Sequence, residues 1–84
     1  MELKDTIQMM QSEDYKERFK AEYEQLRIRF EKLTAMLDKW DAGSLNFTPT
    51  CPRSTYNIQV RAMADYMAAL EARAVMEGVP LLEV

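Results

Sequence analysis

The sequence predicts an all-α protein: an antiparallel helical hairpin with a short N-terminal helix or arm, assembling as a homo-oligomeric helical bundle. Three observations predict this. Phe19, Tyr23, Leu26, Phe30, Leu33, Leu37 and Trp40 follow one another at alternating steps of four and three, the seam of one long helix that packs against another. A loop bearing Pro49 and Pro52 then leads into a second stripe, Val60, Met63, Met67, Leu70 and Ala74, with the same spacing. Finally, the chain has only 84 residues. A chain this short buries about 60 to 65% of its unfolded surface, and natural chains of this size lean on disulfides, metals or copies of themselves. Cys51 is the single cysteine and there is no histidine, so neither an internal disulfide nor a zinc site is expected. Association remains.

Residues 1–11 form the expected arm, with Leu3, Ile7 and Met10 at steps of four and three. Residues 12–84 form the hairpin. Ser12 is the expected N-cap of a helix over about 13–42, with Glu13 and Asp14 in the first turn where the helix dipole favours acids. Asp14–Arg18, Arg18–Glu22 and Lys20–Glu24 are opposite charges four apart and are expected to pair along its solvated back. Gly43 is the natural stop. The loop over about 43–52 cannot be helical, because its two prolines push Thr48 and Cys51 into extended backbone. Leu45 and Phe47 are expected to fold back on the hairpin, with Cys51 a small buried residue. Cys51 or Ser54 is the expected cap of a second helix over about 53–77. Gly78 and Pro80 end that helix and leave an apolar tail over 79–84, in which Leu81, Leu82 and Val84 would suit a neighbouring copy.

The second helix is apolar on more than one side. Tyr56, Met63, Tyr66 and Leu70 run beside its main stripe, and alanines thin the rest of its circumference. A helix of this kind is normally covered from more than one direction, a further sign of an oligomer.

Composition excludes several functions. The net charge is −3, against the excess of Lys and Arg that duplex nucleic acid demands. No apolar run approaches 18 residues, so no membrane span is expected. The acidic start lacks a signal-peptide core, and a lone thiol suits a reducing cytoplasm. Without histidine, a glycine-rich loop or a base beside Cys51, no catalytic group is evident; no enzyme, no cofactor and no metal is predicted.

Binding remains. Residues 15–40 carry seven bases against five acids, whereas residues 1–14 and 41–84 are both acidic, so the first long helix could hold a small anion. Arg and Lys recognise phosphate, and aromatic rings stack on bases. Lys16, Lys20, Arg27, Arg29, Arg61, Arg73, Tyr15, Tyr56 and Tyr66 lie outside the main seam and have suitable chemistry. Lys20, Arg73, Arg61, Tyr66 and Tyr56 are the chosen ligand-binding set. Against each arginine stands the simpler reading of a surface ion pair, since Asp65 lies four residues after Arg61 and Glu77 four after Arg73.

The runs ERFKAEYEQLRIRFEKLTAML and DAGSLNFTPTCP, then Q-x-x-A-M-x-x-Y-x-x-x-L-E-x-R-x-x-x-E-G-V-P-L, resemble a set of small phage and prophage proteins, often labelled crAss-like phage proteins. That set is similar to the helical hairpin of the anti-CBASS and anti-Thoeris sponges. The resemblance covers about residues 14–82. It implies a phage counter-defence protein in the host cytoplasm that binds a cyclic dinucleotide, cyclic trinucleotide or cyclic ADP-ribose-type signal and holds it without cleaving it. It also implies symmetric oligomers, often hexamers, with ligand held between protomers by Lys or Arg on phosphate and by aromatic stacking. Lys20, in Arg18-Phe19-Lys20, matches the phosphate-contacting lysine of the anti-CBASS sponges, and Arg73 is nearest to their late arginine. Their base-stacking tyrosine ahead of the long helix has no counterpart, because no tyrosine precedes Tyr15. The competing reading is a protein-interaction or structural module acting through the apolar hairpin face. A single-stranded nucleic-acid binder is a third.

Overall fold

The computed structural model describes residues 1–81. Among them every regular element is helical. A short 3-10 turn, Leu3–Thr6, runs into α1 (Ile7–Met10), followed by α2 (Tyr15–Asp41) and α3 (Arg53–Glu77). α2 and α3 pack side by side, and α2 is the central element, because the 3-10 turn and α1 pack on it as well.

The cap of α2 is Asp14 rather than Ser12: its carboxylate accepts from the Lys16 N–H at 2.9 Å. Ser12 supports the cap instead, its hydroxyl accepting from the Asp14 N–H at 3.0 Å. At the other end Gly43 takes φ +74°. The Gly43 N–H then reaches the Trp40 carbonyl and the Ser44 N–H the Lys39 carbonyl, the Schellman pattern that satisfies a helix's last carbonyls. α3 ends similarly at Gly78, φ +69°, with the Val79 N–H bonded to the Ala74 carbonyl. Its start differs from expectation. Pro52 occupies the cap position with no side-chain bond, and neither Cys51 nor Ser54 caps. Proline has no N–H to satisfy and an extended ψ, so it enters a helix without help.

The tightest packing lies at the open end of the hairpin, where Phe19, Tyr23, Leu70, Ala74 and Val79 form one cluster with Leu26, Met67 and Leu81 against it. Val79 and Leu81 therefore pack on their own hairpin; of the three tail residues expected to suit a neighbouring copy, Leu81 is the one described. Leu82 and Val84 lie outside the described residues. The loop end is looser. There Trp40 meets Tyr56 edge to face at 5.9 Å, and Arg53 forks onto the Asp41 carboxylate with two bonds of 3.2 Å. That fork fixes the two ends of the intervening loop and holds the Asp41 carboxyl below its usual range. Leu45 and Phe47 fold back beside Met36, although Phe47 stays about half exposed, and Cys51 is exposed rather than buried.

A second buried layer lies on the far side of α2. Ala21 and Thr6 are fully buried and Ile28 nearly so, where the arm crosses α2. The Gln25 amide donates to the Thr6 hydroxyl at 3.0 Å within this layer, and Lys32 pairs with Glu2 at 2.9 Å. The three expected pairs four apart do not form among the described residues. Glu24 is taken by Arg27 at 2.6 Å, Arg18 donates to the Ser12 carbonyl, and Lys20 sits 3.5 Å from Glu17.

Candidate functional site

The five chosen residues fall in separate places. Side chains flanking the α2–α3 seam divide onto two sides, because successive residues on a helix turn by about 100°. Tyr23 and Glu71 mark one flank, the tyrosine O–H donating to the carboxylate at 2.6 Å. Tyr66 and Glu22 mark the other, joined by the same kind of bond.

Lys20 belongs to the Tyr23 flank. It lines a cleft of about 460 Å³ between α2, the arm and the segment after α3, with Met1, Met9, Glu17, Glu24, Arg27, Pro80 and Leu81. Among the described residues two cations and two carboxylates line it, and they are not equally engaged. Arg27 gives Nη2 to Glu24 at 2.6 Å and Nη1 to Glu31 at 3.2 Å. These carboxylates, Glu24 foremost, raise its pKa further. Its Nε is buried with no partner among the described residues. Among the described residues Lys20 has only the long contact to Glu17, which makes it the less engaged of the two cations. Arg27 is one of the basic candidates outside the seam but not one of the five ligand-binding residues expected from the sequence. Its position one α2 turn pair beyond Lys20, at a spacing of seven, was the available signal.

Arg73 belongs to the Tyr66 flank. Its guanidinium carbon lies 4.8 Å from the centroid of the Phe19 ring. Nε donates to Glu77 at 3.2 Å and Nη2 to the Tyr15 hydroxyl at 2.9 Å, while that hydroxyl donates to Glu77 at 2.7 Å. The bond to Glu77 raises the Tyr15 pKa, and the Tyr15 bond, with that of Arg73, lowers that of Glu77. Tyr15 and Tyr66 both remain nearly half exposed, so this flank presents two rings and an oriented guanidinium. The arrangement can stack planar groups and offer N–H donors to an oxyanion, provided that Glu77 yields. Tyr15 and Glu22 were not among the chosen residues; both are recognisable only once α3 lies alongside.

Tyr56 packs against Trp40 near the loop, and burial is the main reason its pKa rises. Arg61 lies on the outer side of α3, exposed, and forms no ion pair with Asp65 among the described residues. Within one chain, then, Arg73 and Tyr66 share a surface, while Lys20, Tyr56 and Arg61 each face elsewhere. Among the described residues no group of His, Cys, Asp or Glu could hold a metal, and no helix is long and apolar enough to cross a membrane.

Comparison with curated proteins gives no match, and neither does comparison with solved structures. A family model does match: that of Sequestin, over residues 13–76. This span takes in all of α2, the loop and nearly all of α3, the elements that carry both flanks, and the chain belongs to the Sequestin family.

Proposed function

We propose that the protein is a phage counter-defence sponge that binds a cyclic nucleotide immune signal in the host cytoplasm and holds it without cleaving it. Membership of the Sequestin family carries the reading, since the family's name denotes sequestration. The ligand class comes from the resemblance to the anti-CBASS and anti-Thoeris hairpins. Two surfaces suit such a ligand. Lys20 supplies a lightly engaged cation in its cleft, and Arg73 supplies a donor set beside the exposed Tyr15 and Tyr66 rings. These surfaces lie on opposite flanks of one hairpin, so a ligand touching both lies between two copies in a homo-oligomer, the hexamer of the similar sponges being one such assembly. Binding of this kind needs no catalytic group.

The test is a thermal-shift panel of cyclic di- and trinucleotides and cyclic ADP-ribose isomers. A ligand at 100 times its Kd stabilises the fold by about 2.7 kcal/mol. A shift with one ligand, recovered intact after the protein is denatured, supports a sponge; recovery of a cleaved product sinks it. No shift with any of them, on a folded protein, favours the other reading, a protein-interaction module. That alternative draws on the exposed Ile58 and Met76 of α3.

A further inference from the structure

α3 carries two apolar stripes, and among the described residues only one of them is covered. Tyr56, Val60, Met63, Met67, Leu70 and Ala74 face α2, all buried or half-buried. On the opposite side run Ile58, Ala62, Asp65, Ala69, Ala72 and Met76, at steps of four, three, four, three and four. All six are exposed, with Ile58 at 72% and Met76 at 77%. Water-facing helix surfaces are normally charged, and the back of α2, which is not, is covered by the arm. Here the charged residues of α3 other than Arg61 and Asp65 are engaged on the flanks or at the loop: Arg53 with Asp41, Glu71 with Tyr23, Arg73 with Glu77. The outer face is left with a heptad seam and one pair of opposite charges.

From this we infer that the outer face of α3 is a self-association surface, on which the α3 of a second copy packs antiparallel. The inference rests on the homo-oligomer part of the reading above and names one of its contacts, distinct from the one that would bring Lys20 of one copy to Arg73 of another. Charge selects the occupant and its direction. In an antiparallel pair crossing between Ala62 and Asp65, Arg61 of each copy lies beside Asp65 of the other, twice over by the two-fold symmetry. A parallel pair would set Asp65 against Asp65. Ile58 then lies over Ala69, large against small, and the alanines let the helices approach closely. Area agrees: the chain exposes 6045 Å² for a mass of 9.8 kDa. Compact monomers of that mass expose about 5200 Å², so the surplus is several hundred Å², and a stable interface covers about 800 Å² per partner.

Sedimentation and light scattering of the full chain test this, with the ligand panel read on the same samples. Ala69→Glu is expected to raise the self-association Kd more than about tenfold by burying a charge against apolar groups, with helix content unchanged because Ala69 is exposed. Arg61→Asp and Asp65→Arg each weaken association, and the double exchange restores it, which loss of nonspecific stickiness would not do. With Cys51→Ala in both chains, Ile58→Cys mixed with Ala69→Cys gives the disulfide-linked heterodimer; homodimeric links alone would establish a parallel pair and overturn the inference. A parent chain that is monomeric, or one whose association ignores Ala69→Glu, overturns it as well. A monomer that binds a cyclic nucleotide would leave the sponge standing and remove this surface. A dimer through this face that binds no ligand would do the reverse.

Discussion

Tyr23 joins the two long helices through both parts of its side chain. The ring is 3% exposed in the core, and the hydroxyl donates to Glu71 across the seam. Burial first, then the Glu71 bond, pushes its pKa up from 10.0 to about 12. A folded-state pKa above the unfolded one means stability that is fully present below pH 10 and is lost as pH rises towards 12. Tyr23→Phe keeps the ring and removes the hydroxyl, at a cost of about 0.5 to 1.5 kcal/mol near neutrality. Urea unfolding of both proteins at pH 8 and pH 11 checks this. The gap between them should narrow at pH 11, and a gap that widens would contradict the assignment. Arg73 is a different case, because Phe19, Glu77 and Tyr15 already hold it. Arg73→Glu should weaken ligand binding and leave the fold intact, as should Lys20→Glu. Equal binding by both variants in calorimetry would remove both residues from the site.

At the scale of elements, the α2 seam was legible because its partner stripe on α3 has the same four-three spacing and both sit between clear stop signals. Gly43 and Gly78 show why those signals are reliable. Each sits at positive φ, and a Cβ added to either would meet nothing within 4 Å, so only the backbone demands glycine there. Gly78→Ala is therefore expected to cost about 1 kcal/mol with no repacking, read as a lower urea midpoint at unchanged slope. The arm was harder to read. Ala21, Gln25 and Ile28 repeat the four-three spacing on the far side of α2, but a polar residue in the middle and charges alongside make that face look solvated. Only the arm's own Thr6 shows that Gln25 has an inward partner. Ile28→Ala should cost about 2 kcal/mol or more and speed tryptic cleavage at Lys4. Cleavage at the parent rate would mean that the arm does not depend on this layer. The exposed Cys51 and the side-chain-free start of α3 were not readable either, since a proline entry can replace a side-chain cap without altering the apolar pattern.

On the scale of the whole molecule, the flanks are the deciding geometry. Composition and resemblance put Lys20 and Arg73 in one binding set, but spacing along separate helices carries no information about which side of a seam each will take. Folded, the two face away from each other across the hairpin. A small ligand touching both must take Lys20 from one copy and Arg73 from another. That arrangement predicts complementation. Lys20→Glu and Arg73→Glu each damage every site in a pure oligomer. When the two variants are unfolded together and refolded, each mixed pair regains one site with both native residues and keeps one with neither. Calorimetry with whichever ligand of the panel stabilises the parent chain should then find a fraction of sites at parental affinity, rising as mixed pairs form. If the mixture binds no better than its components, Lys20 and Arg73 do not meet at a shared ligand, and one flank alone makes the site.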